Sequence, residues 1–229
     1  MRGAPTGVTM FKKTILILSI ATLPFCVNAQ AALEQQLISV GLVGTLRVEF
    51  SEISVAGKSE GCSLVYTSVF SDSVYRKGQL NVAVGNITFM GANAKTIGFS
   101  LKVGVRPFLN STAPFERPNF AYISTSQGSS AKVKQVAVDG DEGFKMFVYS
   151  FTDPQFMKVL QGILRDDVLT VGFNRTANGM DQKFEVDLRV EDSAFDAAVY
   201  KRKQSANSKK QFIECVLPLL NSVRSEIKE

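Results

Sequence analysis

Cysteine, a run of cations and a phenylalanine-bearing loop are the places where this chain's residue types and spacing could do chemistry. Cys26 lies in an apolar N-terminal stretch, and Cys62 and Cys215 are the other cysteines among 229 residues. Neither forms a Cys-x-x-Cys motif, so redox exchange is not indicated. The cations are Lys201, Arg202 and Lys203, followed by Lys209 and Lys210. Such a run can grip an anionic partner (phospholipid headgroups, lipopolysaccharide or an acidic protein face), or it can be a solvated connection. Phe108, Phe115 and Phe120 stand among Pro107, Pro114 and Pro118. Aromatics on a proline-stiffened loop can enter a partner's groove or cover the open end of a β core.

What is missing narrows the chemistry. The chain has no histidine, which excludes Ser-His-Asp and Cys-His catalysis and histidine-containing zinc sites. Ser63 and Ser68 have no identifiable base. Asp139, Asp141, Glu142 and the Asp166-Asp167 pair lack the ligand rhythm of a calcium loop, so turn chemistry is their reading. No catalytic residue, metal ligand set or cofactor is nominated.

The N-terminus sets the expected compartment. Lys12 and Lys13 precede an apolar run from Thr14 to Phe25, and Val27-Asn28-Ala29 supplies small residues before a cut. This is the layout of a signal peptide. Residues 1–29 are assigned to it, with a cut after Ala29 or in the Ala29-Gln30-Ala31 frame; Met10 is an alternative start. The apolar run falls short of the ~20 residues that span a bilayer, so no integral membrane span is expected after cleavage. Cleavage removes Arg2, Lys12 and Lys13, leaving 23 basic against 21 acidic residues. A balance of about +2 is too small a field for nucleic-acid binding. Cys26 leaves as well, and the two remaining cysteines in an oxidising space are expected to form one Cys62–Cys215 disulfide.

The elements that must position these residues are mostly strands. Leu46, Val48 and Phe50 alternate with polar residues, and Ile53 and Val55 continue after a slip. A turn at Lys58–Gly61 leads to a strand over Cys62–Phe70. Leu80, Val82 and Val84 are followed by Ile87 and Phe89 beyond a bulge at Gly85. Ile97, Phe99, Leu101, Val103 and Val105 form the clearest strand, with Gly98, Ser100, Lys102, Gly104 and Arg106 toward water. Residues 33–43 fit a short helix or a strand. Shorter strands fall near Phe120–Ser124, Val133–Val138 and Phe144–Phe151.

The most complete unit runs from Asp153 to Val190. Asp153-Pro154 is an N-cap followed by proline at the first helical position. Phe156, Val159, Leu160, Ile163 and Leu164 then make one apolar stripe. Leu169, Val171 and Phe173, an Asn178-Gly179 turn, and Phe184, Val186, Leu188 and Val190 make a hairpin for that stripe to cover. Ser193 caps a further helix with Phe195, Ala198 and Val199 inward, and Pro218 argues against one continuous helix over Phe212–Leu220. The fold class is α+β, mostly antiparallel β: a sandwich-like lobe over residues 30–152 and a helix–hairpin–helix part over 153–229 packed on the same core.

Several of these residues also carry a family resemblance. Met157-Lys158 with Gly162, then Leu169-Thr170-Val171-Gly172-Phe173, the charged strand Phe184–Leu188, Phe195-Asp196-Ala197-Ala198 and Cys215 resemble the C-terminal part of exported bacterial proteins related to the invasion-associated locus B family. Periplasmic accessory proteins of type VI secretion systems are similar. The resemblance covers roughly residues 150–216 and rests on apolar spacing. It implies a non-enzymatic role at the cell envelope. The expectation is a periplasmic accessory or adaptor protein whose partner is another envelope or secretion-system protein. An immunity protein or inhibitor of an envelope-acting toxin, and a hydrolase without histidine, are the alternatives.

Residues 1–35 fused to a reporter active only outside the cytoplasm should give signal, and N-terminal sequencing of the exported chain should start at or near Gln30. An uncut N-terminus held in the membrane fraction would remove the basis for the compartment.

Overall fold

In a computed structural model, residues 23–91, 98–150, 153–196 and 199–226 are described. The expectation for residues 1–22, and those for Ile97, Phe151 and Ala198, lie outside them. Helix α1 (Leu23–Ser39) leads into a meander of long strands, β1 (Gly44–Val55), β2 (Lys58–Asp72), β3 (Gln79–Met90) and β4 (Gly98–Pro107). β5 (Phe120–Ser124), β6 (Gln135–Asp139) and β7 (Lys145–Ser150) follow. Next come α2 (Pro154–Arg165), β8 (Val168–Asn174), β9 (Gln182–Asp187), β10 (Val190–Asp196), β11 (Val199–Gln204) and α3 (Asn207–Glu226). Every strand pairing is antiparallel. The order β1-β2-β3-β4-β7-β6 makes a six-stranded sheet, β5-β8-β9 a three-stranded sheet, and β10-β11 a separate hairpin.

The ambiguous stretch 33–43 ends a helix. The amide of Leu42 donates to the Leu37 carbonyl and that of Gly41 to Ile38, with Gly41 at φ 81°. This is the Schellman stop, and glycine accepts its left-handed position without a Cβ clash. The first hairpin turns at Ala56-Gly57, two residues earlier than the Lys58–Gly61 turn read from the sequence. Both central residues have positive φ, 50° and 77°, as a two-residue hairpin turn needs, and Val55 pairs with Lys58. The register of β1 runs unbroken from Phe50 to Ile53, where a slip was expected, and shifts instead between Ile53 and Ser54 and between Thr45 and Arg47.

No bulge occurs at Gly85. The β2–β3 register runs unbroken from Gly61↔Met90 through Tyr66↔Gly85 to Asp72↔Gln79. The apolar pattern changes parity there because the sheet is covered on both faces. Leu80 and Val82 pack with Leu42, Val69 and α1's Leu37 and Ile38, whereas Ile87 and Phe89 face the main core. Gly85 is needed for space: a Cβ there would sit 2.6 Å from the Tyr66 hydroxyl and 2.0 Å from the Lys102 carbonyl oxygen. The outer face of β4 is also less open than alternation implied. Ser100 and Gly104 are buried, and the Phe144 ring lies across Gly104.

The main core lies against the inner face of the six-stranded sheet. Leu64, Phe89, Phe99 and Leu101 meet Val171, Phe173 and Phe184 of the three-stranded sheet, Phe156 and Ile163 of α2, and Phe212 and Val216 of α3. Phe70 stacks on Phe184 at 5.0 Å, and Phe99 meets Phe156 at 5.1 Å. The Tyr149 hydroxyl donates to the Ala121 carbonyl at 2.9 Å, tying one sheet to the other. β5, which precedes β6, β7 and α2 in the chain, pairs with β8, which follows them, Phe120↔Asn174 to Ser124↔Thr170.

The Asp153–Val190 unit forms much as its spacing dictates. Asp153 accepts from the Gln155 amide at 2.8 Å, Pro154 opens α2, and Phe156, Val159, Leu160 and Ile163 are buried. Leu169, Val171, Phe173, Phe184, Val186, Leu188 and Val190 all point inward. The connection between β8 and β9 is a longer loop than a tight Asn-Gly turn, although Asn178 does take φ 60°. The helix expected at Ser193 is the β10–β11 hairpin, with Ser193↔Arg202 and Phe195↔Tyr200 as facing pairs. Pro218 sits inside a continuous α3. The amide it removes would have met the carbonyl of Glu214, an exposed residue where water can substitute, and Phe212 and Val216 anchor the preceding turns. Among the described residues no helix is long and apolar enough to cross a membrane.

Cys62 of β2 and Cys215 of α3 form a disulfide, with Cα atoms 6.0 Å apart and 153 residues of separation. A cross-link over so long a loop restrains the unfolded chain strongly. Cys215→Ser should therefore lower unfolding stability by about 2–5 kcal/mol in urea titration. Limited proteolysis should then cut α3 while Asp153–Val190 stays protected. Stability equal to wild type would refute this account of α3.

Candidate binding groove

α3 is fixed at its start by polar contacts. The Ser208 hydroxyl donates to the Val48 carbonyl at 3.0 Å, and Lys209 Nζ donates to the Arg165 carbonyl at 3.0 Å and to Asp167 at 2.9 Å. The disulfide fixes its third turn. Between α3 and the β1–β2 hairpin lies a cleft of about 350 Å³, floored by Phe50, Cys215, Pro218 and Leu219 and edged by Glu52, Ser59, Gln211 and Glu214. Phe50 and Gln211 also line a second depression, about 350 Å³, with Arg47, Glu49, Glu191, Asp192 and Lys203. Asp192 and Lys203 continue into a third along the β10–β11 hairpin. The three make one trough beside β1, the terminal strand of its sheet.

The trough is acidic. Glu49, Glu52, Glu191, Asp192 and Glu214 line its first two parts against Arg47 and Lys203. Both cations are already paired, Arg47 with Glu49 and Lys203 with Glu191 at 2.8 Å. Hydrogen bonding from Lys203 to Glu191 holds the lysine above its usual pKa. Among the described residues Glu52 has no ion-pair partner, and Asp192 stands opposite Lys203 across the hairpin, sharing that cation with Glu191. An apolar floor under an excess of carboxylates, beside an edge strand, suits an extended segment with cationic and apolar side chains.

The hairpin wall depends on Arg202. Its Nε donates to the Thr45 carbonyl at 2.7 Å, and Nη2 reaches the carbonyls of Gly41, Leu42 and Val43 at 2.8–3.1 Å. The Tyr200 amide donates to the Val40 carbonyl at 2.8 Å. The ribbon thus stands against the end of α1 and the start of β1, with Phe195 and Val199 exposed near its tip.

The five cations singled out in the sequence are not brought together as one anion-binding face. Arg202 and Lys209 are structural fasteners. Lys201 pairs with Asp196 at 2.6 Å, Lys203 with Glu191, and Lys210 with Glu214 at 3.8 Å. The three phenylalanines are also dispersed. Phe108 joins the cluster under α1, Phe115 meets Phe144 at 4.7 Å with Arg106 over its ring, and Phe120 lies against Tyr122 and Phe147.

A second polar constellation, at one end of the sandwich, had no sequence signal. Asp72 is fully buried, and Arg175 pairs with it at 3.2 Å. Glu116 bridges Arg175 and Arg76. Burial first, and then the neighbouring Arg76 charge, lower the pKa of Arg175. The Tyr122 hydroxyl donates to Asp181 at 2.9 Å, and burial with that bond pushes its pKa up to about 12. These contacts join the β2–β3, β4–β5 and β8–β9 loops, so the network holds loops together. The partners are too far apart in sequence for spacing to reveal them. Among the described residues no group of three Cys, Asp or Glu is placed to hold a metal ion.

Compared with protein-family models, curated proteins and solved structures, the chain matches none of them.

Arg202→Gln should lower stability by about 2–3 kcal/mol, because charge-assisted bonds to several carbonyls are lost together. Lys201→Gln, Lys203→Gln and Lys210→Gln should each stay within about 0.5 kcal/mol. Urea unfolding of the four variants checks this, and an Arg202→Gln variant as stable as the lysine variants would contradict it.

Proposed function

We propose that this chain is an exported, periplasmic adaptor of an envelope-associated system, non-enzymatic, holding an extended segment of another envelope protein in the trough beside β1. The observation that carries the reading is the trough itself, an apolar floor under a rim where the carboxylates of Glu49, Glu52, Glu191, Asp192 and Glu214 outnumber the cations Arg47 and Lys203. The Cys62–Cys215 bond is in keeping with an oxidising compartment. The resemblance of residues 150–216 to the invasion-associated locus B family and to type VI secretion accessory proteins points to the same kind of role. The partner segment carries lysine or arginine beside apolar side chains, the opposite sign from a ligand of the Lys201–Lys210 run. Its charges steer the encounter and set its orientation, and the floor supplies desolvated area.

The test uses the mature chain as bait in a periplasmic fraction, followed by titration with the purified captured protein. Wild type should bind with an affinity that falls as salt is added, and Glu52→Lys with Asp192→Lys should weaken binding at least about tenfold, or roughly 1.4 kcal/mol. Binding that ignores both the charge reversals and the salt would overturn the reading. Turnover in a hydrolase screen would overturn its non-enzymatic part.

A further inference from the structure

The far edge of the six-stranded sheet is built differently from the trough edge. Among the described residues β6 ends the sheet order and pairs with β7 alone, Gln135↔Tyr149 to Asp139↔Lys145. Val136, Ala137, Val138 and Asp139 are all exposed, Val136 at 62% and Val138 at 42%. Its sequence Gln-Val-Ala-Val-Asp carries no proline, glycine or interior charge, the usual devices that keep an edge from accepting another strand. Val136 and Val138 share the outer face with their partners Val148 and Met146, so an apolar strip reaches the free edge.

The charges flanking β6 are arranged end to end. Lys132 and Lys134 precede the strand and Asp141 and Glu142 follow it, all four exposed and without an ion-pair partner among the described residues. Asp139 is already held by Arg117 at 3.2 Å. A strand of this kind is complementary to itself when reversed. An antiparallel twofold centred on Ala137 sets Val136 of one copy opposite Val138 of the other. It also lays each lysine flank alongside the other copy's acidic flank.

We propose that β6 pairs with β6 of a second copy of this chain, joining two six-stranded sheets across a twofold axis. The interface is isologous, so every contact occurs twice. A five-residue strand gives less area than a stable standard interface, and the dimer is therefore weak and concentration-dependent. β6 and the trough lie on opposite edges of the sheet, so pairing leaves both troughs open.

Sedimentation of the purified exported chain over a concentration series up to about 1 mM should show a reversible monomer–dimer equilibrium. Val136→Lys with Val138→Lys should abolish the dimer while thermal unfolding is unchanged, since both positions are exposed. Lys132→Glu with Lys134→Glu should be monomeric alone, as should Asp141→Lys with Glu142→Lys, and the two mixed should dimerise. Ala137→Cys should give a disulfide-linked dimer on mild oxidation, because directly opposed residues lie within bonding reach. A monomer throughout the series, a dimer indifferent to the valine substitutions, or no cross-link at Ala137→Cys would overturn the proposal. A second protein occupying β6, with no dimer formed, would equally overturn it.

Discussion

A sheet face that is apolar across five of its six strands needs a cover of similar width, and this requirement governs the rest of the molecule. The β5-β8-β9 sheet supplies only three strands. The remainder comes from α2, with Phe156 against Phe99, and from α3, with Phe212 and Val216. A helix that contains Pro218 and leans on an edge hairpin is a weak cover by propensity alone, since interior proline costs about 3 kcal/mol or more. The bond at Cys215 and the contacts of Ser208 and Lys209 hold it in place. The trough is a by-product of that arrangement, the space left where a helix meets the border of a sheet.

The two borders of the sheet take opposite solutions to one problem. β1 is shadowed by α3 and by the hairpin that Arg202 fastens, and carboxylates crowd its rim. β6 lies bare. Antiparallel sheets expose unpaired amides and carbonyls at both ends, so unlike treatment of the two ends separates two surfaces on one scaffold, the first proposed for a foreign segment and the second for a like copy.

Local regularity decided what could be read from the sequence. The Asp153-Pro154 cap, the α2 stripe and the alternation in β4, β8 and β9 are short-range signals, and they became structure nearly as written. The cysteine pairing was legible because the expected cut after Ala29 leaves only two candidates. The Ser193–Val199 stretch misled because a hydroxyl cap and apolar residues at helical spacing also suit a hairpin. Pairing of Phe195 with Tyr200 and the bonds from Arg202 to carbonyls about 160 residues away decided between them. At Gly85 a change of apolar parity looked like a bulge, because covering by α1 on the opposite face has no local mark. The trough and the Asp72–Arg175 network need partners from distant strands and loops. No spacing rule reaches that far.

The Cys62–Cys215 link also determines how the molecule answers force. Its closed loop contains 153 residues of sequence separation, including the free edge, the loop network and the hairpin. Tension applied between the two ends of the chain passes from β2 to α3 through sulfur. At ~3.4 Å per residue, roughly 500 Å of contour is kept out of the load path. Under load, only the segments outside the link can extend, and β6, whose surface is proposed for a second copy, lies within the part that stays slack.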